Sequence, residues 1–149
     1  MRVWVTATGL GGVPLYGHGD RVHDARFAAN GEWIVTASSD GTARVWETAT
    51  GKEIAVLREP TGPVNAAQFS PDGRQVVTAG GDGTVRIWEA ATGKEIVTLH
   101  GHLSRVTSAQ FSPDGKLIVT AGEDAARVWE VATGKQVSAL GGHMNSLAN

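Results

Sequence analysis

The chain has 149 residues, 41% of them apolar and 19% charged, which is enough for one packed domain. Its formal net charge of −2, with 13 Lys and Arg spread through the sequence, offers no field for nucleic acid or an anionic membrane. The absence of cysteine excludes a disulfide framework and a thiolate metal site, and no stretch approaches the ~18 apolar residues of a membrane helix.

The first residues, Met1-Arg2-Val3-Trp4-Val5, lack the apolar core of an export signal, so a cytoplasmic protein is expected. Two short β-type runs come first, Arg2 to Val5 and Val13 to Tyr16, with Gly9 to Gly12 between them. Those glycines lie between strands and not before a helix, which reads as a loop and not a phosphate cradle.

From Gly17 onward a unit recurs. Trp4, Trp46, Trp88 and Trp129 stand 42, 42 and 41 residues apart, and 14 residues after each come His18, Pro60, His102 and His143. Phe27, Phe69 and Phe111 keep the same step, as do Thr36, Thr78 and Thr120, and Asp40, Asp82 and Asp124. Thr50-Gly51-Lys52, Thr92-Gly93-Lys94 and Thr133-Gly134-Lys135 close the units. Each unit divides into four β-type runs. In the middle one they are Val64 to Phe69, Gln75 to Ala79, Thr84 to Glu89 and Glu95 to Leu99, punctuated by the turn pairs Asp72-Gly73 and Asp82-Gly83. The second run of a unit, such as Leu117-Ile118-Val119, is almost continuously apolar and predicts a strand covered on both faces. The last run, as in 51–57, is wetter, and its charges blunt a free edge.

Self-similarity at this period, ending in a Trp-acidic pair, predicts an array of four-stranded propeller blades. The expected fold is all-β, a β-propeller segment of three complete antiparallel blades plus an N-terminal half-blade. The expected boundaries are 1–16 for the half-blade (strands c and d), 17–57, 58–99 and 100–140 for the blades, and 141–149 for the start of a further repeat.

Phe-Ser-Pro-Asp-Gly at 69–73 and 111–115, Gly-Asp-Gly-Thr-Val-Arg-Ile-Trp at 81–88 and the Gly-His pairs resemble the WD-repeat family of β-propellers in its bacterial style. The resemblance implies a buried polar chain in each blade: a Trp indole, a Ser/Thr hydroxyl, the Gly-His imidazole and the Asp of the tight turn. By position these are Trp46, Thr36, His18 and Asp40 in the first unit, and Trp129, Thr120, His102 and Asp124 in the third. The second unit keeps Trp88, Thr78 and Asp82 but has Arg58-Glu59-Pro60 where Gly-His should stand. There Thr78 and Asp82 are expected to find other donors, backbone N–H groups or a water, in the least tightly locked blade. The third unit is one residue short around Asp124, so its turn is either tightened or shifted in register. Trp-Glu replaces the family's Trp-Asp in all three full units.

Two chemical readings compete with a structural one. His100-Gly101-His102 could seat a metal, but no third ligand clusters with it. The Asp-His-Thr grouping superficially suggests a hydrolase triad, but it recurs in every well-formed unit, as a fastener does and a nucleophile does not. No catalytic residue, metal or cofactor is therefore expected. The resemblance instead implies a protein or peptide ligand on the rim where the d–a and b–c turns emerge. The matching positions are Arg21, His23, Ser39, Asn65, Gly81, Arg105, Thr107 and Glu123, with Arg21 and Arg105 as anchors for a carboxylate.

Three and a half blades fall short of the roughly 4–8 of a closed ring. The expected explanation is a scaffold whose missing blades lie in a larger parent chain. The alternative is a homo-oligomer joined head to tail, although two copies supply the same strands c and d twice and so do not complete each other.

Overall fold

The computed structural model describes residues 2–3 and 13–141; Trp4, Gly9 to Gly12, His143 and the expected further repeat lie outside them, apart from Gly141. Fourteen strands are formed, with no helix among the described residues. A two-stranded antiparallel pair, β1 (Arg2–Val3) and β2 (Val13–Pro14), comes first. The first four-stranded sheet is β3 (Val22–Phe27), β4 (Trp33–Ser38), β5 (Thr42–Glu47) and β6 (Glu53–Arg58). The second is β7 (Val64–Phe69), β8 (Gln75–Gly80), β9 (Val85–Glu89) and β10 (Glu95–Leu99). The third is β11 (Val106–Phe111), β12 (Leu117–Gly122), β13 (Ala125–Glu130) and β14 (Gln136–Gly141). Each sheet is an antiparallel meander in sequence order.

The turns explain the meander. Ser70 Oγ donates to Asp72 Oδ1 at 2.6 Å, and that oxygen also accepts the Arg74 N–H at 3.0 Å, closing the β7–β8 turn around Gly73 at φ +74°. Ser112 and Asp114 repeat the device before β12. The Glu of each Trp-Glu pair has a task of its own. Its longer side chain reaches the Thr three residues on, with Thr50 to Glu47 at 2.6 Å, Thr92 to Glu89 at 2.6 Å and Thr133 to Glu130 at 2.7 Å.

The core lies between sheets. Val35, Ala37, Ala43, Val45 and Leu57 of the first sheet meet Val64, Ala67, Phe69, Val76 and Trp88 of the second in one buried cluster. Val77, Ala79, Val85, Ile87 and Leu99 then meet Val106, Ala109, Phe111, Ile118 and Trp129 of the third. The innermost strands β3, β7 and β11 lie side by side. Polar bonds cross both junctions: at the first the Ala67 N–H donates to Asp24 Oδ2 at 3.4 Å, and at the second the Phe111 N–H donates to Gln68 Oε1 at 3.0 Å and Asn65 Nδ2 donates to the Val106 carbonyl at 2.8 Å.

Two sequence expectations need correction or refinement. The apolar runs β4 and β8 are covered on both faces, but β12 is not: Leu117 and Val119 are 37% and 41% exposed because no described sheet follows the third. The shortened turn of the third sheet is tightened and not shifted. Ala121 pairs with Ala126 across one residue fewer than Ala79 and Val85, yet Thr120 still faces Arg127 as Thr78 faces Arg86.

Gly101 takes φ +158°, and a Cβ there would stand 2.9 Å from Trp129 Cη2, closer than side chains approach. Gly101→Ala is therefore expected to destabilise the chain by about 1–3 kcal/mol in urea unfolding. Gly19→Ala, with open space around the added carbon, should stay within about 0.5 kcal/mol of the parent.

Candidate functional site

The third strand of each sheet, c, carries a Trp on the face turned toward the preceding part of the chain, and the second, b, carries a Thr on the same face, two positions along from the residue opposite the Trp. In all three sheets the indole N–H donates to that hydroxyl at 2.9 Å, Trp46 to Thr36, Trp88 to Thr78 and Trp129 to Thr120. A buried indole and a buried hydroxyl thus satisfy each other, and the hydroxyl proton then needs an acceptor.

In the first and third sheets the acceptor is imidazole. His18 Nε2 lies 2.5 Å from Thr36 Oγ1 and its Nδ1 lies 2.9 Å from Asp40 Oδ2; for His102 the distances are 2.7 Å to Thr120 and 2.8 Å to Asp124. The carboxylate places the proton on Nδ1, leaving Nε2 to accept from the Thr. The same carboxylates hold the loop above. Asp40 Oδ2 accepts the Gly19 N–H at 3.0 Å, and Asp124 Oδ2 accepts the Leu103 N–H at 3.2 Å. The Trp at the core is linked in this way to the position of a surface loop.

The second sheet differs from expectation. Thr78 finds an acceptor and not a donor: its hydroxyl donates at 2.7 Å to Glu59 Oε1, the residue before Pro60. The Glu59 side chain is fully buried, and its other oxygen accepts from Arg86 Nη1. The direction of donation is thus the same as in the histidine-bearing sheets, with a carboxylate in place of Nε2. Asp82 receives the Thr61 hydroxyl at 3.0 Å and the Thr84 hydroxyl at 2.6 Å, so the loop is again tied to the turn. Glu59 and its Arg86 partner were missed in sequence; the signal was an acidic residue next to the vacant histidine position, with Arg recurring two before each Trp.

Burial opposes the charge of Asp40, but bonds from the Thr42 hydroxyl, the His18 ring and the Gly19 and Thr42 N–H groups outweigh it and hold the carboxyl far below its ordinary 3.8. Asp124 is held low in the same way, with burial opposed by His102, Arg127 and the Leu103 N–H. A depressed folded value means stability that is complete above the unfolded value and lost as pH falls below it.

The rim positions share one face, because the loop before each sheet bonds to its b–c turn: Ser39 N–H to the Arg21 carbonyl at 2.8 Å, Gly81 to Pro63 at 2.8 Å and Glu123 to Arg105 at 3.2 Å. His23, Asn65 and Thr107 are the extra residues of a bulge repeated at the start of each innermost strand, and a bulge re-aims its side chain. Several candidates are occupied. His23 bonds to Ser39, Asn65 is committed to the Val106 carbonyl, and Thr107 donates to the Ala121 carbonyl at 3.1 Å. Arg105 Nε pairs with Glu123 at 3.2 Å, both more than half exposed. Arg21 is exposed, and Leu103, which sequence reasoning passed over, is 87% exposed on the same face. His100 and His102 have no acidic, Cys or His companions arranged as a metal site among the described residues.

Two outcomes follow. Glu59→Ala takes from Thr78 its acceptor and from Arg86 its fully buried partner, leaving Arg86 only Glu95 and Asp82; it is expected to cost about 2–4 kcal/mol in urea unfolding, whereas Glu123→Ala on the exposed rim should cost under about 1 kcal/mol. Stability should also fall steadily as pH drops below about 4, because the unfolded chain takes up protons at Asp40 and Asp124 that the folded carboxylates refuse, and Asp40→Asn should flatten part of that slope in acid titrations followed by Trp fluorescence.

The family model for the WD domain, G-beta repeat matches residues 12–47, 51–89 and 93–130. None of the curated proteins matches the chain. Three consecutive matches cover most of the sequence and fall on the sheets just described, and the chain belongs to the WD-repeat family.

Proposed function

We propose that the protein is a non-catalytic interaction scaffold that receives a protein or peptide ligand on the face carrying the loops before each sheet and the b–c turns. WD-repeat sheets are an interaction-scaffold type of fold, and the residues able to do chemistry are consumed in supporting it. His18, Thr36 and Asp40, like His102, Thr120 and Asp124, bond to one another beside a Trp, and their hydroxyls are buried. A nucleophile would have to be reachable by substrate.

The observation that carries this reading is the anchoring of the rim loops. Asp40, Asp82 and Asp124 each tie the loop before their sheet to the b–c turn, so Arg21, Leu103 and Arg105 project from backbone held in place. Preorganised loops lose little entropy on binding. Arg21 and Arg105 fit a carboxylate of the ligand, which at Arg105 replaces the solvent-exposed Glu123, and Leu103 fits an apolar side chain beside it. The ligand is thus an acidic segment with a neighbouring hydrophobic residue.

Selection from a displayed random-peptide library should enrich Asp/Glu-bearing peptides with an adjacent apolar residue. Binding of a selected peptide should weaken about tenfold or more in Arg21→Ala/Arg105→Ala and in Leu103→Ala, with the thermal midpoint unmoved. Unchanged binding in both variants would place the ligand elsewhere.

A further inference from the structure

Trp33 is the only one of the five tryptophans that falls outside the repeat period. It opens β4 opposite Glu47, where the second sheet has Gln75 opposite Glu89 and the third has Leu117 opposite Glu130. A sheet of this repeat therefore forms with Gln or Leu at this place and has no structural need of an indole. Trp46, Trp88 and Trp129 are sealed in the core, whereas Trp33 packs against the first junction and stays partly exposed.

The residues around it leave the repeat at the same place. Trp33, Glu32, Glu47 and Thr48 line an open hollow of about 580 Å³ between the β3–β4 and β5–β6 turns. The backbone bond from Thr48 N–H to the Glu32 carbonyl recurs from Ala90 to Arg74 and from Val131 to Lys116, so a base stands where Glu32 does in the other two sheets. In the second sheet the hollow carries its own cation, Arg74, beside Glu89. In the first it carries two carboxylates and no basic residue. Thr50 engages Glu47 Oε1 and Asn30 engages Glu32 Oε2, which leaves one oxygen of each for a ligand. The Thr48 hydroxyl oxygen is buried and has no partner among the described residues, the state of a group whose partner arrives with a ligand.

Two carboxylates without a counter-charge draw in a cation, and the face of an indole attracts one as well. A guanidinium suits both: it is planar and stacks on the ring, forks onto a carboxylate and retains N–H groups for a further acceptor. We infer that the hollow seats an arginine side chain of a protein or peptide partner, stacked on Trp33 and bonded to Glu32 and Glu47. Ile96, 50% exposed in the adjoining hollow that Trp33 also lines, offers apolar ground for a neighbouring residue of the same segment. The site is independent of the rim. Trp33 opens β4 and Ser39 follows its end, so about 20 Å of strand separates them, and the two ends of the sheet attract segments of opposite charge.

The test titrates a tetra-arginine peptide onto the 149-residue chain by calorimetry, with tetra-lysine for comparison. Tetra-arginine is expected to bind, and tetra-lysine to bind about threefold or more weakly, since an ammonium cannot stack flat on the ring. Trp33→Gln keeps the net charge and copies Gln75; it should weaken tetra-arginine about tenfold, while Trp33→Phe retains most of the affinity. Glu32→Arg copies Arg74 and should abolish binding. Both Gln and Arg are residues the fold already accepts at these positions in the second sheet, and thermal midpoints report that each variant is folded. No binding by the parent, unchanged binding in Trp33→Gln, or equal affinity for tetra-lysine would each overturn the inference. The acidic peptide selected on the rim should bind Trp33→Gln as it binds the parent, so failure of one site does not decide the other.

Discussion

The hydrogen bond from a buried indole to a buried threonine hydroxyl is the constraint around which each sheet is organised. Trp is large enough to fill the space between two sheets, but its N–H must have an acceptor there, and the Thr on the adjacent strand is within reach. The Thr then has a proton to place. The remainder of each repeat answers that demand, through imidazole and Asp in two sheets and through Glu59 and Arg86 in the other. Leaving any one of these groups unpaired in a dry site costs more than the bond itself contributes.

The glycine before each histidine belongs to the same constraint. For the imidazole to reach the Thr, the backbone must pass directly over the indole, and at Gly101 there is no room for a Cβ beside Trp129. In the second sheet the acceptor comes from Glu59 on a differently routed loop, and no glycine precedes it. Two chemically unlike solutions thus keep one direction of proton donation. The carboxylate solution brings a buried cation with it, since a lone buried Glu would be costly, and Arg86 sits where Arg44 and Arg127 sit in the other sheets.

The chain of bonds also connects interior to surface. Each turn Asp stands between the buried His or Arg and the loop that leads into its sheet, so the position of the rim loops follows from the packing of the core. In the third sheet the deletion next to Asp124 is absorbed in the turn, and Arg127 Nη2 bonds to its Oδ2 at 2.9 Å. The rim is consequently a shaped surface supplied by the repeat, on which Arg21 and Arg105 share one repeat position, held by Pro63 in the second sheet, and Leu103 stands where the other sheets have Gly19 and Thr61.

The period of the tryptophans determined the strands, their order and the all-β class, because a sheet that meanders within one repeat depends on contacts close in sequence. Turn chemistry such as Asp72-Gly73 and Asp82-Gly83, and the continuous apolar runs, were legible for the same reason. What the repeat could not disclose were the pairings specific to one copy: Glu59 entering the vacant histidine site, Asn65 and Thr107 turned by a bulge toward backbone carbonyls, and Arg105 closed on Glu123. Nor could the apolar run at Leu117 to Val119 report that one of its faces would lie open, since coverage of that face depends on a neighbouring sheet and not on the strand itself. Sequence alone settled what each blade is; only tertiary structure decided which of its side chains are consumed in holding it and which are left to meet another molecule, because that depends on distances between residues far apart in the chain.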